Sequence, residues 1–168
     1  MPLVIRSERK SDENAIEGIT HQAFASHPHS SHTEHLIIRA LREANALTIS
    51  LVAEQSNEVV GHIAYSPVTI SDGTSGWFGL GPVSVLPSVQ KRGIGRALIE
   101  HGLSQLRELG ADGCVLLGEP SFYKRFGFSN NPGLMLPGIP QEFFLALSFG
   151  SSYPQGKVSY HAAFFTNN

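Results

Sequence analysis

Gln90-Lys91-Arg92-Gly93-Ile94-Gly95-Arg96 stands between two unlike stretches of chain. Before it runs an apolar segment, Trp77 to Leu86, interrupted by Gly79, Gly81 and Pro82. After it, from Ala97 to Leu109, the residues Leu98, Ile99, Gly102, Leu103, Leu106 and Leu109 recur at helical spacing. The pattern reads as strand, tight glycine turn, helix. The first N–H groups of such a helix have no carbonyl partner, and the helix dipole favours negative charge at the same point. Gly93 and Gly95 carry no side chain to hold a ligand away from the backbone, and Lys91, Arg92 and Arg96 add positive charge. The stretch is built to cradle phosphate.

Two common phosphate loops do not fit. A nucleotide P-loop closes with Gly-Lys-Ser/Thr, which is missing. A dinucleotide fingerprint needs a third small residue for close packing of its helix, and that position is Leu98. It also follows a first parallel strand, whereas here three antiparallel strands precede the loop. Thr48 to Glu54 and Glu58 to Ile70 are rich in β-branched residues and flank Gln55-Ser56-Asn57, giving a β-hairpin. Ser71 to Gly76 then turns the chain into the strand that carries Trp77.

Gln-x-x-Gly-x-Gly between a strand and a helix resembles the pyrophosphate loop of the GCN5-related N-acetyltransferases. Ser121-Phe122-Tyr123-Lys124-Arg125-Phe126-Gly127-Phe128 resembles that family's late aromatic motif, one helix and one strand (Asp112 to Leu117) downstream. The tail from Gly156 to Phe164 is similar to the ending of the YhbS-like branch. The resemblance is strongest from Trp77 to Phe128 and weakest from Phe24 to Ala46. It implies an α+β fold: a mixed, mostly antiparallel central sheet split at a V, with helices on both faces. It also implies acetyl-CoA as cosubstrate, a primary-amine acceptor (a small molecule or a peptide) and transfer by direct attack in a ternary complex. Family members are often homodimers.

The residues themselves support part of this. Pro82 cannot donate a ladder hydrogen bond, so the strand should be bulged or unpaired there. That is where the resemblance puts the parting strands, and it makes Val83, Ser84 and Val85 the backbone partners of the pantetheine arm. The loop residues Gln90, Lys91, Arg92, Gly93, Ile94, Gly95 and Arg96 are the expected pyrophosphate cradle. Tyr123 is the candidate general acid for the departing thiolate and also a coenzyme contact, because a phenol is protonated at neutral pH. The competing reading is an aromatic packed beside Phe122 and Phe126. By resemblance, the Val85 N–H is the candidate oxyanion donor, against an ordinary ladder bond.

Many members of the family carry a glutamate on the strand before the loop, and Trp77 to Leu86 contains no carboxylate. Glu119, at the mouth of the next strand, is the candidate base. Glu54, or Ser84 acting through water, are alternatives, each set against a plain surface role. His27, His29, His32 and His35 cluster before the second helix, with His32 and His35 three apart. Imidazoles can bind zinc or nickel, but acyl transfer needs no metal. The plain reading is a loop, which the resemblance implies shapes the acceptor pocket, and a direct role in acceptor binding or proton removal is the alternative to a metal site. Cys114 lies in an apolar strand and reads as a small buried hydrophobe.

Along the rest of the chain, Leu3 to Ser7 reads as a first strand. Ser11 or Asp12 is placed to cap a helix with Ala15, Ile16, Ile19, Ala23 and Phe24 on one face. Leu36, Ile37, Ala40 and Leu41 give the second helix its stripe. Gly102 predicts close packing of the helix after the loop, and Gly110 its end. Phe143 to Phe149 reads as a buried strand and Val158 to His161 as an edge strand. Asn130 to Gly133 and Pro137 to Pro140 mark loops.

With 168 residues and 41% hydrophobic content, residues 1–168 read as a single domain with a real core. The net charge of −2 argues against a general nucleic-acid binder. One cysteine allows no internal disulfide, no apolar run is long enough to cross a bilayer, and the start lacks the apolar core of a signal peptide. These features predict a cytoplasmic protein without membrane partners. A non-catalytic domain that binds acetyl-CoA as a sensor or partner module is the alternative to an enzyme.

Overall fold

The computed structural model describes residues 2–25, 27, 30 and 32–165. In chain order these form β1 (Leu3–Ser7), α1 (Glu13–Phe24), α2 (Glu34–Glu43), β2 (Ile49–Gln55), β3 (Glu58–Ile70) and β4 (Trp77–Val85). Then follow α3 (Ile94–Glu108), β5 (Gly113–Leu117), the single-turn α4 (Pro120–Tyr123), β6 (Leu134–Met135), β7 (Phe144–Ser148) and β8 (Gly156–Tyr160). The sheet order is β1-β2-β3-β4-β5-β7, and β8 pairs with the far end of β3 and with β6. In the main path only β4 and β5 run parallel. The expected mixed α+β sheet is therefore present.

Alternation along β2 assigns the two faces. Leu51 and Ala53 join the large core under α3, while Val52 packs with Ile16 of α1 and Ile38 of α2. Helices thus cover both faces, α1 and α2 on one and α3 on the other. The β2–β3 turn is tighter than the three residues expected. Ser56 and Asn57 both take positive φ, 55° and 61°, the two-residue geometry that matches strand twist. Gly102 lies so close to Tyr65 that a Cβ would clash with its ring edge and hydroxyl, and the Tyr65 hydroxyl donates to the Ile99 carbonyl at 3.0 Å. This is the close approach that the glycine predicted.

Three helix details differ from the sequence reading. Neither Ser11 nor Asp12 caps α1 with its side chain. The Asp12 carboxylate instead accepts from Arg6 at 2.8 Å and from the Arg9 N–H at 2.6 Å, because a buried carboxylate satisfies itself best with a guanidinium. Arg6 holds its pKa below the usual carboxylate range. Ala15 is exposed, and the buried face of α1 is completed by Thr20, whose hydroxyl donates to the Ile16 carbonyl at 2.7 Å. In α2 the half-buried Leu36 is less central than Ile38, which the sequence reading omitted. The short β6 was also missed; two residues carry no readable periodicity.

The V is set by where pairing stops. β4 pairs with β5 only through Trp77–Gly113, Phe78–Cys114 and Gly79–Val115. Beyond that point β4 stays with β3 and β5 stays with β7, so the two strands part. Opposite Ala64, β4 places both Gly81 and Pro82 between the pairs Ile63–Val83 and Tyr65–Leu80. That is the bulge expected from Pro82.

Candidate active site

Pairing beyond the bulge decides which β4 backbone groups are available. Leu86 N–H donates to the Val60 carbonyl at 2.9 Å, which makes that facing pair a hydrogen-bonded one. Hydrogen-bonded and open pairs alternate in an antiparallel ladder. The His62–Ser84 pair is then bonded, while Gly61–Val85 and Ile63–Val83 are open. Val83 and Val85 therefore turn their N–H and C=O groups away from β3, toward the V. Ser84 turns its own toward β3, and its side chain is buried with Oγ 3.4 Å from Thr20 Oγ1. Of the three expected backbone partners, two face the V and Ser84 does not. The same burial removes Ser84 from proton transfer through water in the cleft.

The glycine loop follows at once. Gly93 has φ +83° and a Cβ there would meet nothing, so the turn's conformation is what demands glycine. Lys91 also takes positive φ, 65°. The first α3 bond runs from the Ala97 N–H to the Gly93 carbonyl at 3.0 Å, leaving the N–H groups of Ile94, Gly95 and Arg96 without intrahelical acceptors. The Ile94 side chain is buried in the core, so it can offer only its backbone. Gly95 is helical, and a Cβ would touch only Val85 Cγ2 at 3.9 Å. Gln90 Nε2 donates to the Val85 carbonyl at 3.0 Å and ties the loop to β4. Arg96 Nε lies 3.4 Å from Glu100 one turn on, whereas Lys91 and Arg92 are exposed and make no ion pair among the described residues.

Between β4 and β5 lies a cleft of about 490 Å³ lined by Leu80 to Val83, Val85, Gln90, Leu117 to Glu119 and Tyr123, with Ala23, Phe24 and His27 from the other side. Tyr123 is set by its neighbours. Its N–H donates to the Glu119 carbonyl at 3.1 Å, and its ring meets Phe122 edge-on at 4.9 Å. Gly118 has no room for a Cβ because the Tyr123 ring occupies that space. Burial pushes the phenol pKa above its ordinary value, so the group stays protonated at neutral pH. Its hydroxyl makes no hydrogen bond among the described residues.

The other candidates fall differently. Glu119 lines the cleft, is exposed, and accepts weakly from Ser121 Oγ at 3.4 Å. Glu54 is committed to Arg6 at 3.0 Å and does not line the cleft. His32 precedes α2 with φ 62°, so it does not share a helix face with His35 as the spacing suggested. His35 packs edge-on against His21 at 5.5 Å. His27 lines the cleft, and His29 lies outside the described residues. Among the described residues no group of three or more His, Cys, Asp or Glu could hold a metal ion. Cys114 is buried, with its thiol pKa pushed up by desolvation, as its apolar strand suggested. The sequence reading missed Ala23, Phe24 and Leu117, apolar residues indistinguishable from core until the V opens beside them.

Residues 14–128 match the family described as the acetyltransferase (GNAT) family. This chain belongs to it. It is 34% identical to the uncharacterized N-acetyltransferase YhbS of Escherichia coli K12 over 127 residues, 75% of this chain and 73% of that one. A GNAT family acetyltransferase from Brucella melitensis, solved in complex with acetyl-CoA, is 50% identical, with a TM-score of 0.87 over 97% of this chain and 98% of that one. The crystal structure of YhbS from Escherichia coli in complex with CoA superposes with a TM-score of 0.88 at 30% identity, covering 99% of this chain and 93% of that one. The GNAT fold read from the two motifs is thus present. No helix of the described residues is long and apolar enough to cross a membrane.

Proposed function

We propose that this GNAT domain transfers an acetyl group from acetyl-CoA to a primary amine by direct attack within a ternary complex. The observation that carries the reading is one cleft lined by the V-facing Val83 and Val85, by Tyr123, and by Gln90 of the glycine loop that leads into the open N–H groups of α3. The two relatives solved with acetyl-CoA or CoA support the choice of cosubstrate. The pyrophosphate takes the N–H groups of Ile94, Gly95 and Arg96 along with the charges of Lys91, Arg92 and Arg96, while Gln90 braces the loop. The pantetheine arm pairs with Val83 and with the Val85 carbonyl in place of a missing strand, which leaves the Val85 N–H for the reacting carbonyl.

The neutral amine nitrogen attacks the thioester carbonyl, and the oxyanion takes the Val85 N–H. The intermediate collapses with rupture of the C–S bond, and Tyr123 gives its proton to the leaving thiolate. The ammonium proton passes to solvent, with Glu119 as the cleft carboxylate able to relay it. Tyr123 then recovers a proton from water.

Acetyl-CoA-dependent release of free CoA in the presence of an amine tests the reading. Tyr123→Phe should lower kcat on the order of 10²-fold with little change in coenzyme affinity. Equal turnover would remove Tyr123 from the mechanism. The absence of a carboxylate on β4 favours the second reading, a non-catalytic acetyl-CoA sensor; it predicts coenzyme binding by calorimetry with no turnover of any amine.

A further inference from the structure

A second cleft, of about 670 Å³, continues from the first and shares Phe24, Leu80, Gly81, Pro82 and Leu117 with it. On the acetyl-transfer reading, on which this inference rests, that is where an acceptor enters. Its remaining wall is mostly hydrocarbon and aromatic, including Ile37, Leu136, Ile139, Val158 and Phe164. Three polar side chains break that wall, Glu34, Tyr160 and the exposed Ser159, and two of them hold a buried polar atom. Glu34, the first residue of α2, accepts from Ser30 Oγ at 2.7 Å through Oε2, but its Oε1 is shut from solvent with no partner among the described residues. The Tyr160 hydroxyl is likewise buried and unpartnered. Each such atom costs stability unless something pairs with it. Among the described residues no lysine, arginine or histidine lines this cleft.

We infer that the acceptor is a primary amine on a bulky apolar group, an arylalkyl- or long alkylamine, with Glu34 and Tyr160 recognising its nitrogen. An ammonium brings up to three donors to Glu34 Oε1 and the Tyr160 oxygen, which have none among the described residues, and releases one proton to solvent before its nitrogen attacks. An acceptor bearing a carboxylate or phosphate would meet Glu34 with no cation among the cleft's described residues to offset it. A polyol or aminoglycoside would leave hydroxyls unpaired against the wall, which a site rejects strongly. A polyamine would press its second charge into hydrocarbon. The volume falls within the roughly 300–1,000 Å³ usual for small-molecule sites.

The test uses the whole chain with phenethylamine, ethanolamine and spermidine as probes. Initial rates of CoA release are measured, along with calorimetric binding of phenethylamine to the CoA-bound protein. Phenethylamine should have a kcat/KM at least tenfold above the other two. Glu34→Gln, which keeps the shape and the Ser30 contact, should raise the phenethylamine KM at least tenfold while the acetyl-CoA KM stays constant. Tyr160→Phe, which removes an unpaired buried hydroxyl, should raise thermal stability and still weaken phenethylamine several-fold. A preference for ethanolamine or spermidine, or an unchanged phenethylamine KM in Glu34→Gln, overturns the inference. If acetyl-CoA binds but phenethylamine neither binds nor reacts, only the acceptor inference falls. If acetyl-CoA itself does not bind, the acetyl-transfer reading falls with it.

Discussion

Gly95 separates what the loop needs to fold from what it needs to bind. It sits in the first turn of α3 with ordinary helical φ, and an added Cβ would make one contact, 3.9 Å from Val85 Cγ2. That distance is normal van der Waals contact, so Gly95→Ala meets no clash and removes backbone entropy from the unfolded chain. A glycine-to-alanine change inside a helix is worth about 1 kcal/mol, less in a first turn; roughly 0.5 kcal/mol of stabilisation is expected. Binding of acetyl-CoA should change little, since one methyl leaves the N–H groups clear. Gly95→Glu keeps the helix but sets a carboxylate beside the pyrophosphate. Two like charges about 5 Å apart repel by about 0.8 kcal/mol in water and about 3 kcal/mol at an effective dielectric near 20. With more than one phosphate charge present, the dissociation constant should rise at least tenfold. Gly93→Ala is the contrast: its Cβ would meet nothing, yet φ +83° costs an L-residue about 1–2 kcal/mol, so this variant loses stability. Urea unfolding and acetyl-CoA calorimetry on the three variants read both quantities. Wild-type affinity in Gly95→Glu would refute the cradle, and destabilisation by Gly95→Ala would refute the open geometry at Gly95.

Other consequences follow from the same structure. Burial holds the His62 pKa down to about 4 from 6.5, with Glu8 pulling it up and Arg42 pushing it further down. The unfolded chain therefore takes up a proton between those values that the folded one refuses. Stability should be flat above pH 6.5 and fall by on the order of 3 kcal/mol on acidification to pH 4, a loss that His62→Gln should lack in urea titrations; parallel curves would remove His62 from the acid response. Gly102→Ala should destabilise the fold, because overpacking against the Tyr65 ring costs about 1–3 kcal/mol and outweighs about 1 kcal/mol of gained helix propensity. A raised melting temperature would contradict that packing. With the Tyr123 pKa raised, kcat should not decline through loss of the Tyr123 proton between pH 8 and about 10. A kcat limb titrating well below pH 9, absent from Tyr123→Phe, would count against the assigned environment.

Much of the fold was legible because local chemistry has few solutions. Strand, glycine turn and amphipathic helix around Gly93 could be read directly, since left-handed backbone and helical spacing leave marks in sequence. The bulge at Pro82 was legible for the same reason: proline has no N–H to give. Gly102 signalled close packing, though not that Tyr65 was the partner. The β2–β3 hairpin was visible from β-branched runs, with its turn one residue too long.

The errors came where burial or pairing overrides a local preference. Asp12 looks like a helix cap but answers to Arg6, and Glu54, a candidate base, answers to the same guanidinium. Ser84 looked like a partner for the coenzyme arm, yet the phase of the β3–β4 ladder turns it away and presents Val83 and Val85. That phase depends on which facing pairs exchange hydrogen bonds, and a sequence does not record it. Turn chemistry and helical spacing thus determined by themselves the strand, glycine turn and helix around Gly93, and the resemblance carried by two spaced motifs pointed to the GNAT α+β frame. The tertiary structure decided which backbone groups open into the V. It also decided that residues as distant as Glu34 and Tyr160 share one apolar cleft, because only the folded chain brings α2, β4 and β8 together.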